Sequence, residues 1–359
     1  MTCKVYELKI FPNINLSKNS LNKFYKKAII KSMAKIQKLT LFNHSKVKNM
    51  IPFLNTNKNN WFLKLLSMGP FAGIHNLLPL KYKFLDESYI ISENGESLGA
   101  ITVSPIVGNY SKVAISQLFF SENAFDVAKQ LIEFIISHYG ANGATTFYAI
   151  INELSTELLN LFITGCGFRQ CSAEELWEVT KKTFQKTNSI QYRRLKDSDL
   201  KEISEIYNDS LIPYFKPTLE RSAKEFAETF CHGLTYSTSY RYVIEDLASS
   251  RIIGYFLVST DDNENYVIDF NYSDGYEIDL DGMMYFATRE ILRRKRHFRL
   301  FVKTKRYLKT AEKQKEYFVA SNFQWIKTKM LLVKDFYKLV KQESPLREFI
   351  MLGEMGRGV

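Results

Sequence analysis

Short apolar runs rich in β-branched and aromatic residues recur along this chain, separated by stretches whose apolar positions fall three and four apart. Within 125–139, Val127, Leu131, Phe134 and Ile135 line one face of a helix, and Gly140 and Gly143 end it. The same reading expects strands over 36–41, 88–92, 98–103, 112–120, 145–151 and 176–183. It adds a helix from His44 and another over 155–164, with Ser155 as its N-cap. The later half predicts strands over 190–195, 240–245, 252–259, 266–271, 298–302 and 327–333, and helices over 198–210, 281–294 and 311–321. Antiparallel strands followed by helix, strand, helix and strand imply a mixed, mostly antiparallel sheet flanked by helices, an α/β chain of the α+β type with one crossover unit.

That order occurs twice. Sixty residues separate Leu39 from Gly99 in SLGAITV, and fifty-nine separate Leu195 from Gly254 in RIIGYFLV. Sixty-nine residues beyond each glycine stands a phenylalanine, Phe168 in GCGFRQ and Phe323 in ASNFQW. A period near 155 residues implies two copies of a whole domain, expected over 36–185 and 186–341, with a short tail over 342–359. The first 35 residues form an extension whose Leu21, Phe24, Tyr25, Ala28, Ile29 and Met33 recur at helical spacing among lysines, the pattern of a basic amphipathic helix.

Composition narrows this picture. The 359 residues are 45% hydrophobic and 24% charged, too apolar for a disordered chain and long enough for two cores. No apolar run approaches the ~18–20 residues that cross a bilayer, and no signal-peptide pattern is read. Cys3, Cys166, Cys171 and Cys231 lack zinc spacing, and the five histidines are scattered, so no metal is expected. The thiols read as reduced, in a cytoplasmic protein. The net charge of +11 is uneven: residues 1–48 hold eleven lysines and one acid, and the stretch from Arg289 to Lys309 holds ten cations against Glu290. Such blocks suggest a contact with nucleic acid or another polyanion, or a solvated face.

Taken in order, YRRLKDSDLKEISEIYN (192–208), IIGYFLV (252–258) and LNLFITGCGFRQ (159–170) resemble the first strand and helix, the third strand, and the end of the fourth helix of the GCN5-related N-acetyltransferase (GNAT) family. The resemblance covers roughly 36–183 and 190–340. It implies two tandem acyl-CoA N-acyltransferase-like domains, with acetyl-CoA or another acyl-CoA as co-substrate and an amine as acceptor.

The family binds the donor's pyrophosphate on backbone N–H groups where its fourth strand turns into its third helix, a place suited to anions. Carried onto this chain, the donor contacts are Leu118, Phe119, Phe120, Asn123 and Ala128, with Asn152 past the fifth strand. Asp126 holds the position of the family's central glycine and also reads as an N-cap, while Asp279 and Asp281 occupy the same place in the second copy. Like charge there disfavours the donor, more so in the second copy.

The family's carboxylate base and tyrosine acid are matched by Glu153, Asp269 and Tyr317, and each carboxylate also fits a solvated or capping role. The family's tyrosine position itself falls on Ile163 and Phe318, one residue after Phe162 and Tyr317. Two functional readings follow: an N-acyltransferase with at most one active copy, the N-terminal one favoured, or a non-catalytic fold of this kind that binds a polyanion. An aminoacyl-tRNA-dependent relative is a further alternative.

Overall fold

The computed structural model describes residues 34–39, 87–94, 96–106, 109–120, 124–181, 183–186, 190–227, 238–260 and 262–336. Residues 1–33 of the N-terminal extension with its expected amphipathic helix, the helix expected from His44, Asn123, Cys3, Cys231 and the tail lie outside them. In the first copy, β1 (Lys35–Lys38), β2 (Glu87–Glu93), β3 (Glu96–Ile106) and β4 (Asn109–Phe120) run antiparallel. Helix α1 (Phe125–Ala141) crosses to β5 (Thr146–Asn152), which lies parallel to β4. Helix α2 (Thr156–Asn160) then continues into a π-helical turn (Leu161–Gly165) before β6 (Arg169–Glu178).

The second copy repeats the plan with β7 (Ile190–Arg194), α3 (Leu200–Ser210), α4 (Lys216–Leu219), β8 (Thr238–Asp246), β9 (Arg251–Thr260) and β10 (Asn265–Tyr272). Helix α5 (Leu280–Leu292), β11 (Arg299–Lys305), α6 (Ala311–Ala320) and β12 (Gln324–Asp335) complete it, with β11 parallel to β10. The strand expected over 176–183 in fact begins at Arg169 and ends at Glu178.

All twelve strands join one sheet, in the order β1-β2-β3-β4-β5-β12-β6-β11-β10-β9-β8-β7. Read from either edge, five strands of one copy are followed by the last strand of the other. Strand β12 lies antiparallel between β5 and β6, and β6 lies between β12 and β11. The copies have therefore exchanged their final strands. Central position explains the unbroken apolar run Met330-Leu331-Leu332-Val333, because both faces of β12 are covered.

The cores follow the exchange. Met330 and Leu332 of β12 pack with Leu118, Leu131 and Phe162 of the first copy, and Trp177 of β6 packs with Met283, Ile268 and Phe318 of the second. On the other face of the sheet, α3 lays Ile203 and Tyr207 over Ile150, Leu331 and Val333, covering the seam.

The duplicated landmarks occupy matching places. Gly99 stands opposite Phe120 and Gly254 opposite Tyr272, each facing the last residue of its copy's fourth strand. A Cβ on Gly99 would lie 3.0 Å from the Phe119 carbonyl oxygen, and one on Gly254 would lie 2.8 Å from that of Asn271. Phe168 donates its N–H to the carbonyl of Phe162, and Phe323 donates to that of Phe318. The π-turn adds one residue to the first of these loops, so Phe162 corresponds to Phe318 and Leu161 to Tyr317. Plain counting along the sequence is off by one here.

Candidate functional site

Two parallel strands that part at their carboxyl ends open a crevice, which is where sheets of this kind take ligands. In the first copy β4 and β5 pair only from Lys112↔Thr146 to Ile115↔Ala149. Beyond Ile115, β4 runs on to Phe120 and β5 to Asn152. The β4–β5 ladder thus stops short of 117–120.

A bulge re-aims β4 just there. Gln117 faces Thr102 and Ile115 faces Val103, so Ser116 is the extra residue, and its hydroxyl donates to the Thr102 carbonyl at 3.1 Å. The sequence carried this signal: the core-facing positions are Val113 and Ile115 before the bulge, and Leu118 and Phe120 after it, a switch from odd to even. Strand β10 keeps one parity through Tyr266, Ile268, Phe270 and Tyr272, and its register with β9 is unbroken.

The donor residues expected in the first copy fall around this mouth, in different roles. Leu118, Phe119 and Phe120 are buried in its β4 wall, with Phe120 edge-on to Phe125. Ala128 is fully buried beneath α1, where its small side chain seats the helix on the sheet. The N-cap of α1 is Ala124, which has no side-chain acceptor; Asp126 is an exposed first-turn acid and does not cap the helix as expected. Asn152 closes a turn by accepting the Leu154 N–H at 3.2 Å. Next to it Glu153 is exposed at the lip of the mouth, with its N–H bonded to the Thr328 carbonyl of the exchanged strand.

The other two catalytic candidates lie in the second copy, on opposite faces of the sheet. Asp269 shares the α3 side with Asn271, whose amide donates to Ser210 at 2.7 Å. It is buried, with Lys305 Nζ 2.5 Å from its carboxylate. Burial opposes its ionisation, but Lys305 and Lys303 hold its pKa below the usual range, which makes it a poor proton acceptor. Tyr317 lies on the α5 and α6 side and donates its hydroxyl to Asp281 at 2.8 Å. Burial and that carboxylate push its pKa up. Glu153, Asp269 and Tyr317 therefore do not converge on one reacting centre.

In the second copy the corresponding helix N-terminus is already filled. Asp279 caps α5 by accepting the Gly282 N–H at 3.1 Å. Asp281 accepts from Lys181 Nζ at 2.5 Å, from the Gln185 N–H at 2.9 Å and from Tyr317. Burial would raise its pKa, yet these donors lower it. The segment joining the copies thus crosses the start of α5, pinned also by Thr180 on the Asn322 carbonyl and by Phe184 against Phe323. Neither this strap nor the strand exchange has a local sequence signature, although the acids at 279 and 281 do.

The basic stretch from Arg289 to Lys309 forms mostly internal pairs, against the expectation of a polyanion contact. Arg293 and Arg294 bind Glu290, Arg299 grips Glu178, Lys303 meets Glu174, and Arg306 meets Glu175. Lys305 is taken by Asp269, and Lys309 donates to the Asp209 carbonyl. Nothing here supports nucleic acid as a partner. Among the described residues there is no cluster of metal-ligating side chains, and no helix is long and apolar enough to cross a membrane.

No family model matches the chain, and no curated protein does either. Solved structures do. A tandem GNAT protein from the clavulanic acid biosynthesis pathway matches at a TM-score of 0.54 and 12% identity, over 84% of this chain and 98% of that one. A candidate acetyltransferase from Pyrococcus horikoshii matches at 0.51 and 9%, over 87% and 92%. At such identities the likeness concerns fold. The chain has the GCN5-related N-acetyltransferase fold, in tandem.

Proposed function

We propose that this protein is an acyl-CoA-dependent N-acyltransferase with a single donor site, in the first copy. The observation that carries the reading is the contrast between the two mouths. The first combines an early parting of β4 and β5, a bulge at Ser116 and a helix start whose N-cap has no side-chain acceptor. At the second, the β9–β10 register is unbroken and two acids at the start of α5 stand where a donor's phosphates would lie.

In this reading the edge of 117–120 binds the acyl donor, the first turn of α1 faces its phosphates, and Asn152 shapes the lip. Glu153 accepts the proton of the attacking amine. The second copy supplies β12 as the far support of the mouth and does no acyl chemistry itself. A cytoplasmic setting belongs to the reading, supported by the free, buried thiols of Cys166 and Cys171.

Calorimetric titration with acetyl-CoA tests it. One equivalent bound per chain is expected, together with a raised melting temperature; a ligand at 100 times its Kd stabilises by about 2.7 kcal/mol. Absence of binding refutes the donor assignment, and two equivalents refute the single site. Release of free CoA thiol on adding amines then tests transfer.

A further inference from the structure

The carboxyl ends of β5 and β6 and the amino ends of β12 and β11 lie on one edge of the sheet. Asn152 faces Lys329, Gln324 faces Glu178, and Glu178 faces Phe301. The first mouth therefore shares its edge with the second copy. Helix α2 starts at this edge, α6 ends there, and α5 ends just before β11 enters the sheet. Three strand spacings, ~14 Å, separate β5 from β11.

Four large apolar side chains stand out of the fold along this edge. Leu154 is 82% exposed, and Trp325, Val319 and Leu292 are each at least half exposed. Such residues scattered singly carry no meaning, but a row of them beside one mouth offers a partner apolar surface to cover. Charge along the same edge is polarised. Glu153 and Glu157 are exposed at the mouth, whereas the tip of α5 presents Arg289 and Arg296, both exposed, with Lys295 between. Arg293, Arg294 and Arg299 have acidic partners; Arg289, Lys295 and Arg296 have no ion pair or side-chain hydrogen bond among the described residues.

A uniform polyanion, whether a nucleic-acid strand or an anionic membrane, would meet like charge at the mouth. A segment with an amine at one end, apolar side chains in the middle and acids at the other complements every part of the edge. The span of ~15–20 Å corresponds to roughly five or six extended residues, whose alternate side chains point the same way.

We propose that this edge is the docking surface for an extended peptide segment of a protein acceptor, apolar and then acidic beyond the amine that receives the acyl group. Its acids lie against Arg289, Lys295 and Arg296, its apolar side chains against Trp325 and Leu292, and its amine beside Glu153. Only the place of the amine rests on the acyl-transfer reading of the first mouth. The second copy, which does no acyl chemistry, selects the substrate on which the first copy acts.

Calorimetric titration of the full chain without acyl-CoA tests the surface. The probe is a peptide with a blocked N-terminus, one lysine, two leucines alternating with serines, and three closing aspartates. Saturable binding of one peptide per chain is expected. Replacing the aspartates by asparagines should weaken it about tenfold, the combined effect of three exposed ion pairs. Arg289→Ser with Arg296→Ser should remove most of the preference between the two peptides, and Trp325→Ala should weaken both about tenfold. All three positions are exposed, so melting temperatures should stay unchanged, and the arginine variant decides the matter even if Trp325→Ala does not fold. No binding, equal binding of the two peptides, or an unchanged preference in the arginine variant would overturn the proposal. Tighter binding of polyuridylate or of phosphatidylserine vesicles than of the peptide would overturn it too. A chain that takes acetyl-CoA but not the peptide loses this proposal alone, and one that takes the peptide but not acetyl-CoA loses the donor assignment alone.

Discussion

Met330 and Ile151 face each other as neighbours in β12 and β5, although they belong to different copies of the repeated unit. The relationship makes the two copies one folding unit, because each fifth strand would expose its edge without the other copy's last strand. Fragments 1–186 and 187–359 expressed separately are therefore expected to aggregate or remain unfolded, since open edges pair promiscuously. Mixed together they should reassemble into a one-to-one complex, read by size-exclusion chromatography and circular dichroism. A single fragment that unfolds cooperatively as a monomer would contradict the exchange. Leu332→Ala, in the strand that fills the first copy's core, should cost about 2–5 kcal/mol by chemical denaturation in one concerted transition.

The two landmark glycines respond differently to a methyl group. At Gly254 the added Cβ meets the Asn271 carbonyl oxygen at 2.8 Å and Tyr272 Cβ at 2.9 Å, backbone and Cβ atoms at the end of the β9–β10 ladder that cannot shift cheaply. At Gly99 its nearest neighbours lie at 3.0 Å and include the side chains of Val127 and Leu131, which can adjust. Gly254→Ala should cost about 1–3 kcal/mol, and Gly99→Ala less, in urea unfolding. The reverse order would mean that α1, not the β9–β10 ladder, is the tighter packing.

These glycines also mark how far the sequence could be read. Apolar spacing reveals nearly every described element, because helices and strands bury faces with different periods. Gly99 and Gly254 reveal the duplication, because only glycine tolerates their close neighbours. What escapes is non-local. Nothing in 324–335 indicates that this strand leaves its own copy, since any central strand is equally apolar. Lys181 and Gln185 look like linker residues until the fold carries them to Asp281. The cations at Arg299, Lys303 and Arg306 look like part of a binding face because their acids, Glu178, Glu174 and Glu175, come from the other copy. Charge counted along a chain omits the partners that folding brings.

Acid should destabilise the protein in a defined window. Glu87, Asp199, Asp269 and Asp281 all have lowered pKa values: burial opposes ionisation in each, and bonds from neighbouring donors, lysine or arginine among them, outweigh it. A carboxyl whose folded pKa is depressed binds fewer protons folded than unfolded at mildly acid pH. Its contribution is complete above the unfolded pKa and is lost as pH falls through the folded value. Stability should therefore be level in this respect above about pH 5 and fall progressively below it. Lys305→Met leaves Asp269 buried without its cation and should cost about 3–5 kcal/mol at neutral pH, whereas Asp269→Leu combined with Lys305→Met should recover most of that loss. Melting temperatures between pH 3 and 8 would check both statements, and a double variant no more stable than the single one would show that the pair does not act as a unit.

Asp126 offers the most direct probe of the donor site. It is an exposed acid in the first turn of α1, beside the N–H groups that would face the donor's phosphates. Its carboxylate favours the helix through the dipole but repels another anion at the same place. Replacing it by Asn should therefore move two properties in opposite directions. Acyl-CoA affinity should rise by about two- to fivefold, the equivalent of roughly 0.3–1 kcal/mol at a helix end, while the protein loses a few tenths of a kilocalorie in stability. The affinity gain should shrink as salt is added, because exposed charges are screened within about 8 Å at physiological ionic strength. Titrations with acetyl-CoA at low and high salt give the answer: tighter binding at low salt places the phosphates at α1, and an unchanged affinity at both would place them elsewhere.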